Sequence, residues 1–206
     1  MEEPRNVRSR RTRARLLEAA WELLVSEGPE ATTMSAVGRA ADVSRRGVYV
    51  HFSTRSELLA ALTDFVNDAL GLESSLASVG AAPDAVAMLD ETVRHLIDFH
   101  GAALPLLEAL HRSPESDVEA ALLWETTLQN WRRGWGELAT ALAAEGVLAD
   151  RWTVPTATDA LVALVVGFMS LWRQLVDASG WTRDEFHEFY RDLHRATFLR
   201  PSDPTT

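Results

Sequence analysis

The sequence predicts an all-α fold of about nine helices, with a small N-terminal module followed by a larger helical body. Apolar residues recur every three or four positions along almost the whole chain, which is the period of an amphipathic helix. No useful stretch alternates β-branched and polar residues, as a half-buried strand would. Stop signals such as Gly28-Pro29 and Gly146 divide the chain into helices of ordinary length.

The N-terminal module is predicted to contain three helices. The first runs from about Arg11 to Ser26, and Thr32-Thr33 then caps a short helix that ends near Ala41. Ser44 caps a second short helix to about His51, and the three-residue connection between these two is that of a helix-turn-helix. Ala40, Val43 and Val48 are expected to pack the two short helices together.

The body is predicted to begin with a capping box in which Thr54 and Glu57 open a helix that ends near Leu72. A small, polar loop is expected over 74–82. A second capping-box pair, Ser116 and Glu119, is expected to open a long helix to Glu145. The remaining predicted helices are Pro83 to His100, Leu104 to His111, Pro155 to Ala178 and Thr182 to Leu199.

Composition limits the classes of function. The 206 residues are 47% hydrophobic and 24% charged, which is typical of a folded protein and not of a disordered one. Cysteine is absent, which excludes disulfide scaffolds, cysteine-ligated zinc and thiol catalysis. We therefore expect no cofactor and a cytoplasmic location.

Charge is distributed unevenly between the two parts of the chain. All 20 basic residues are arginines, and ten of them lie in residues 1–55, which carry seven acidic residues and a net charge of +3. Residues 56–206 carry ten arginines, 23 acidic residues and a net charge of −13. A basic end on an acidic body is typical of a module that meets a polyanion.

No segment predicts export or a membrane span. The apolar stretch after the first arginines is interrupted by Glu18 and Glu22, unlike the core of a signal peptide. The longest apolar run, from Ala160 to Trp172, has 13 residues, whereas a span needs about 20. We interpret it as a buried helix and expect no membrane partner.

The short helix after Ser44 has the features of a DNA recognition helix. Ser44 caps it, so Arg45 and Arg46 lie in its first turn and point outward. Arginine pairs bidentately with guanine in the major groove, so these two are the expected base readers. The expected DNA-binding set is completed by the cap itself, the neighbouring glycine and four side chains that can reach phosphates: Ser44, Gly47, Thr33, Tyr49, His51 and Arg55.

At these residues the sequence resembles the TetR/AcrR family of transcriptional regulators, over about residues 11–60. The family's pattern is matched in register by Thr33, Val37, Ala41, Val43, Ser44, Tyr49, His51, Phe52, Arg55, Leu58 and Leu59. The resemblance implies a ligand-responsive repressor that binds a palindromic double-stranded DNA operator as a homodimer and is released by a small, largely apolar organic effector. It also implies a DNA-binding domain over residues 1–55 and a regulatory domain over 56–206.

Four residues depart from the family's pattern. Gly38 stands where the family usually has alanine, and Arg46 and Gly47 stand where glycine and a small residue are common. Asp42 replaces the usual glycine of the turn, and aspartate tolerates a left-handed backbone better than most residues. These departures concern base reading rather than the fold.

The residues before the first predicted helix form a basic segment. Six arginines lie between positions 5 and 15 with no acidic residue among them. We expect a flexible arm that enters the minor groove or follows phosphates. The alternative is a solvated tail.

The helix from Pro155 is apolar on all sides, so one chain is expected to cover one face and a second subunit the other. Gly167 would permit close approach. The predicted dimer interface lies on this helix and the last one: Leu161, Val165, Phe168, Trp172, Phe186, Phe189, Tyr190 and Leu193. The alternative is a monomer with one deeply buried helix.

A stripe of tryptophans and two histidines marks the expected effector pocket. The resemblance places a small-molecule site in the helices from Pro83 and Ser116, and aromatic walls suit an apolar, planar or cationic ligand. The predicted lining is His95, Phe99, His100, Trp124, Leu128, Trp131 and Trp135. The alternative is that the stripe only fills the core and that each histidine is structural.

Two other classes of protein were considered. His187-Glu188 begins like a zinc HExxH motif, but Arg191 stands at the second histidine position, so no metal site and no enzyme is predicted. The alternative function is a helical protein-interaction module that does not bind DNA, or, more remotely, a helical enzyme.

Overall fold

The computed structural model describes residues 5–112 and 118–201. The chain divides into two compact units. The first unit contains residues up to 70 together with 103–124, and the second contains residues 71–102 together with those from 125 onward. The boundary predicted after residue 55 differs from the first division between these units, which follows residue 70, and it stays a prediction.

Within the described ranges the backbone is helical apart from turns and one isolated antiparallel bridge between Leu148 and Leu199, which confirms the all-α fold. The described residues form ten α-helices, of which α6 continues as a π-helical segment Leu96–His100 and α9 as another, Arg173–Ala178. The helices are α1 Arg5–Glu27, α2 Met34–Ala40, α3 Arg45–His51, α4 Arg55–Ala69, α5 Leu72–Gly80, α6 Ala85–His95, α7 Leu104–His111, α8 Val118–Ala144, α9 Val154–Trp172 and α10 Arg183–Phe198.

The first unit is built around the apolar face of α1, against which α2, α4 and α7 pack. Leu16 and Leu24 of α1 are fully buried, as are Val37 of α2 and Val48 of α3. The buried faces leave the opposite faces of α2 and α3 exposed.

The second unit has α9 and α10 at its core. The hydroxyl of Tyr190 on α10 donates a hydrogen bond of 2.8 Å to the backbone carbonyl of Leu164 on α9, and it lies among the rings of Phe168 and Phe186. Arg195 of α10 forms an ion pair with Asp90 of α6, which ties a third helix to this pair.

The predicted N-terminal residue was wrong for two helices, α1 and α6. Residues 5–15 are helical and belong to α1, so the described part of the basic segment is not a flexible arm. Arginine is a strong helix former, and no Gly or Pro interrupts residues 5–27. The helix α6 begins at Ala85 because Asp84, and not Pro83, caps it by accepting a 2.7 Å hydrogen bond from the Ala87 amide.

The loop predicted over 74–82 is mostly the helix α5. Leu72, Leu76 and Val79 have helical spacing. Two of the serines that indicated a loop turn their hydroxyls back onto the chain, since Ser74 donates to the Gly71 carbonyl and Ser78 to the Ser74 carbonyl. The predicted cap at Ser116 lies outside the described residues.

The predicted dimer interface needs correction, because six of its eight residues are buried inside the chain itself. Packing between α9 and α10 already covers these side chains, so they form the core of the second unit: Leu161, Val165, Phe168, Trp172, Phe186 and Tyr190. Only Phe189, 37% exposed, and half-buried Leu193 remain accessible.

By length and composition alone, α9 and its π-helical continuation could cross a membrane, and less than half of this stretch is buried within the chain. Core helices of other proteins pass the same test. A half-exposed apolar stripe runs along it at helical spacing: Leu164, Gly167, Leu171 and Leu175.

Candidate nucleic-acid interface and effector region

The helix-turn-helix of the first unit is capped as predicted. Thr33 caps α2 by accepting a 3.2 Å hydrogen bond from the Ala36 amide, and Ser44 caps α3 by accepting one of 3.1 Å from the Gly47 amide. Arg45 and Arg46, in the first turn of α3, are both exposed. No ion pair of either guanidinium is recorded in the described part of the chain, so both are available to a polyanion.

Two glycines allow the close packing of α2 and α3. A Cβ on Gly38 would stand 2.9 Å from Val48 Cγ2, and one on Gly47 would stand 2.7 Å from Val43 Cγ1. Ala40, predicted to join this contact, is exposed instead, and Ala41 is buried. Close packing therefore explains why glycine stands at both positions, without any role in contacting DNA.

The turn between the two helices is fixed by Asp42 and Arg15. Asp42 has a φ of 52°, in the left-handed region that the sequence predicted for it. Arg15 of α1 donates a hydrogen bond to the Ala41 carbonyl just before it. Arg15 thus positions the turn.

The predicted phosphate contacts differ in accessibility. Tyr49 is 44% exposed and lies beneath the Arg45 guanidinium, whose Cζ is 5.9 Å from its ring centroid. His51 is half-buried. Arg55 is also half-buried and donates hydrogen bonds to the carbonyls of Pro29, at 3.3 Å, and Thr32, at 3.5 Å, so its guanidinium holds the chain before α2 in place.

Sequence reasoning missed Val50, whose side chain is 74% exposed on α3. It lies four residues after Arg46 and therefore on the same face. The four-residue spacing from Arg46 was the feature of the sequence from which the exposure of Val50 could have been predicted. An exposed valine on this face can contact the methyl group of a thymine, which adds an apolar element to the interface.

In the second unit, four of the predicted effector-site residues form a cluster of rings. The centroid of the His100 ring lies 5.2 Å from those of His95 and Trp131 and 5.6 Å from that of Phe99. His95 and Phe99 stack at 5.3 Å. We call these four residues the ring cluster.

The histidines of the ring cluster are neutral near pH 7. Burial lowers the pKa of His95 to about 4, and burial together with the neighbouring His95 lowers that of His100 to about 3. His95 Nδ1 lies 2.7 Å from the Ser75 hydroxyl. His100 Nδ1 is buried and has no hydrogen-bond partner among the described residues.

The other predicted effector-site residues lie elsewhere. Trp124 belongs to the first unit, where its ring is 4.8 Å from that of His111. Trp135 is buried and stacks on His194 at 5.8 Å, which makes it a core residue. Leu128 is half-buried. No group of three or more potential ligands that could hold a metal ion occurs among the residues that the structure covers.

Residues 16–62, which contain the whole helix-turn-helix, match the family described as "Bacterial regulatory proteins, tetR family". Two curated transcriptional regulators are similar to about two fifths of the chain. The N-terminal part of the chain therefore resembles the TetR family. The resemblance that the sequence indicated is confirmed for this segment.

The chain is similar to two regulators of Pseudomonas putida. It is 36% identical over 91 residues to "Uncharacterized HTH-type transcriptional regulator TtgW", a match that covers 40% of this chain and 63% of the relative. It is 38% identical over 88 residues to "HTH-type transcriptional regulator SrpR", covering 38% of each. The chain thus spans less than two thirds of the length of these relatives. The prediction that it is no enzyme agrees with both names.

Solved structures share the fold over nearly the whole chain. NalD, "the secondary repressor of MexAB-OprM multidrug efflux pump in Pseudomonas aeruginosa", superposes with a TM-score of 0.73 at 23% identity and covers 94% of this chain and 98% of its own. A regulator from Saccharomonospora viridis in complex with choline gives 0.75 at 18% identity, covering 91% and 97%. The SmeT–triclosan complex gives 0.69 at 19% identity, covering 93% of each.

Proposed function

We propose that this protein is a transcriptional repressor that binds a palindromic operator as a homodimer and leaves it when a small, largely apolar organic effector binds. The observation that carries the proposal is the capped, exposed helix α3, with Arg45 and Arg46 in its first turn. The first turn of a recognition helix meets base edges in the major groove. The site of action is the DNA of the cytoplasm.

The proposed interface divides base reading from positioning. Arg45 and Arg46 read bases, and each bidentate pair with guanine contributes about 1–3 kcal/mol of discrimination. We therefore expect at least one G·C pair in each half-site. Thr33, Tyr49 and His51 contact phosphates, which fixes the register of α3 without specifying sequence.

A homodimer presents α3 twice, which suits a two-fold operator. We assign its interface to the half-exposed apolar residues of the second unit: Leu164, Gly167, Leu171, Leu175, Phe189 and Leu193. A helix that is apolar all round is stable in water only when each face is covered. The chain covers one face of α9 itself, and the partner covers the stripe that remains.

The proposed response passes through α4, which lies at the end of the first unit. The chain enters the second unit at Gly71, whose φ of 70° places a left-handed residue between α4 and α5. An effector in the second unit shifts α4 and thereby the separation of the two copies of α3. A coupling free energy of about 1–3 kcal/mol would weaken operator binding by roughly 5- to 150-fold.

The similar structures support both halves of the proposal. NalD is named as a repressor, and the SmeT and Saccharomonospora viridis structures hold triclosan and choline. These ligands belong to those proteins. The shared fold supports a small-molecule site in this chain, and the identity of its ligand rests on the residues of this chain.

Selection of bound DNA from a random pool, with and without candidate effectors, tests the proposal. Wild-type protein should enrich an inverted repeat, and the double variant Arg45→Ala, Arg46→Ala should not. Arg133→Ala removes an exposed arginine of α8 and should enrich the same repeat. If no duplex is enriched at low salt, the protein does not bind DNA, and the interaction module becomes the better description.

A further inference from the structure

The ring cluster contains a buried polar atom that nothing satisfies. His100 is 8% exposed, and its Nδ1 has no hydrogen-bond partner among the described residues. Most buried polar atoms in folded proteins are paired, so an unpaired one calls for an explanation. A missing ligand is one explanation, because a ligand that pairs this nitrogen would gain a contact that the folded chain leaves open.

Local backbone geometry brings the rings together. Hydrogen bonds in the π-helical segment Leu96–His100 run from residue i to residue i+5. Residues four and five positions after His95 therefore share its face, which explains why His95 contacts both Phe99 and His100. Single π-turns inside α-helices occur frequently at functional sites.

The chemistry of the cluster narrows the class of ligand. Its histidines are neutral, so it offers aromatic faces and an unpaired nitrogen but no positive charge for an anion. A quaternary ammonium ion would stack on the rings but would leave His100 Nδ1 unpaired. When Nε2 carries the imidazole proton, a hydroxyl group donates a hydrogen bond to this nitrogen, which an ether oxygen cannot do.

We propose that the ring cluster binds a neutral phenol, whose aromatic ring packs against Phe99 and Trp131 and whose hydroxyl forms a hydrogen bond with His100 Nδ1. This inference rests on the proposed function, because it names the chemical class of the effector. His100 is then the residue that determines specificity.

The ligand has two sides from which to approach the cluster. Trp131 is half-exposed. His95 lines a small polar pocket of about 110 Å³, together with Ser75, Ser78, Glu91, Arg94 and Asp98. A cavity of about 150 Å³ is known to hold a benzene ring, so this pocket is too small for a two-ring phenol as it stands. Phe99, His100 and Trp131 do not line this pocket, so binding requires the ring cluster to open on the side of half-exposed Trp131. A displacement of the Trp131 ring is measurable by fluorescence.

The test compares 2-phenylphenol with its methyl ether, which has the same rings but cannot donate a hydrogen bond. Isothermal titration calorimetry on the full chain should give a dissociation constant at least tenfold lower for the phenol. His100→Phe keeps an aromatic ring and removes both nitrogens, so the two compounds should then bind within twofold of each other. The matched control is His187→Phe, which removes another histidine with an unpaired nitrogen but no recorded ring contact to the cluster, and it should keep the tenfold preference.

Spectra of ¹⁵N-histidine-labelled wild-type protein provide a readout that needs no variant. The phenol should shift the His100 Nδ1 resonance and the methyl ether should not. Equal affinities of the two compounds for wild-type protein, or an unshifted His100, would overturn the inference. Operator affinity is measured in parallel: a protein that binds its operator and releases it for other compounds but not for the phenol contradicts this inference alone, whereas one that binds no DNA contradicts the proposed function.

Discussion

Gly38 lies so close to Val48 that a Cβ on the glycine would stand 2.9 Å from Val48 Cγ2, and it would also stand 3.0 Å from the Val43 carbonyl oxygen. This contact sets the distance between α2 and α3. A valine cannot move far in a buried position, and a backbone carbonyl moves even less.

Gly38→Ala is therefore expected to lower the free energy of unfolding by about 1–3 kcal/mol, the usual cost of overpacking. The measurement is urea unfolding followed by circular dichroism. Gly134→Ala is the control, since its Cβ would meet nothing within 4 Å and alanine is the better helix former. Equal stability of Gly38→Ala and wild type would show that α2 and α3 separate easily.

Asp42 gives a second prediction about the same turn. Its φ of 52° is unfavourable for residues with a Cβ by roughly 1–2 kcal/mol, although least so for Asn and Asp. Asp42→Gly should raise the free energy of unfolding by up to about 1 kcal/mol, and Asp42→Val should lower it by more than that. A stabilising valine would contradict the left-handed geometry.

Substitution of Arg55 distinguishes a structural role of its guanidinium from an electrostatic role in binding phosphate. Its hydrogen bonds to the carbonyls of Pro29 and Thr32 predict that Arg55→Ala lowers the free energy of unfolding by about 1–3 kcal/mol. The slope of the logarithm of operator affinity against the logarithm of salt concentration should not change. A residue that neutralises one phosphate would reduce this slope by nearly one. Such a reduction would restore Arg55 to the phosphate contacts.

The buried histidines predict how stability depends on pH. The pKa values of His95 and His194 lie near 4 and that of His100 near 3, each lowered first by burial from 6.5. Between pH 6.5 and 4 the unfolded chain takes up protons that the folded chain excludes, so the free energy of unfolding falls as pH falls, by up to about 1.4 kcal/mol per pH unit for each histidine.

Urea unfolding at a series of pH values measures this dependence. His194→Asn removes one titrating group and should flatten the curve between pH 6 and 4.5. A wild-type curve that is level over this range would mean that the folded chain protonates these histidines as easily as the unfolded chain does.

The dimer surface is tested by Leu171→Asp, which places a charge in the middle of the half-exposed stripe of α9. A buried carboxylate without a partner opposes association, so the variant should be a monomer in solution. It should also bind its operator at least tenfold more weakly than the wild type does. Thr140→Asp, an exposed position on α8, should remain a dimer. Sedimentation equilibrium distinguishes the two states.

Much of the fold followed from the sequence because its signals are local. The caps at Thr33 and Ser44 and the left-handed turn at Asp42 depend on neighbouring residues alone, and the structure has all three. The length of α1 and the presence of α5 did not follow, since exposed arginines and serines carry no apolar period strong enough to mark a helix.

The site was predicted less completely, for a different reason. Helical spacing identifies which residues share a face but not which face a neighbouring helix covers. The stripe from Leu161 to Trp172 was expected to meet a partner, yet it is buried within the chain, where Phe168 and Trp172 contact Phe186 of α10. For the same reason the tryptophans of α8 were predicted to line one pocket, but Trp131 joins the ring cluster whereas Trp135 packs on His194.

The close approach of Gly47 to Val43 limits which positions of α3 can be varied to change the proposed preference for DNA sequence. A side chain at position 47 would collide with its neighbour, and Val48 is fully buried, so neither position is open to variation. A library that seeks altered base preference is best restricted to Arg45, Arg46, Tyr49 and Val50. On α3, these are the four positions at which substitution can change base preference without disturbing the buried packing.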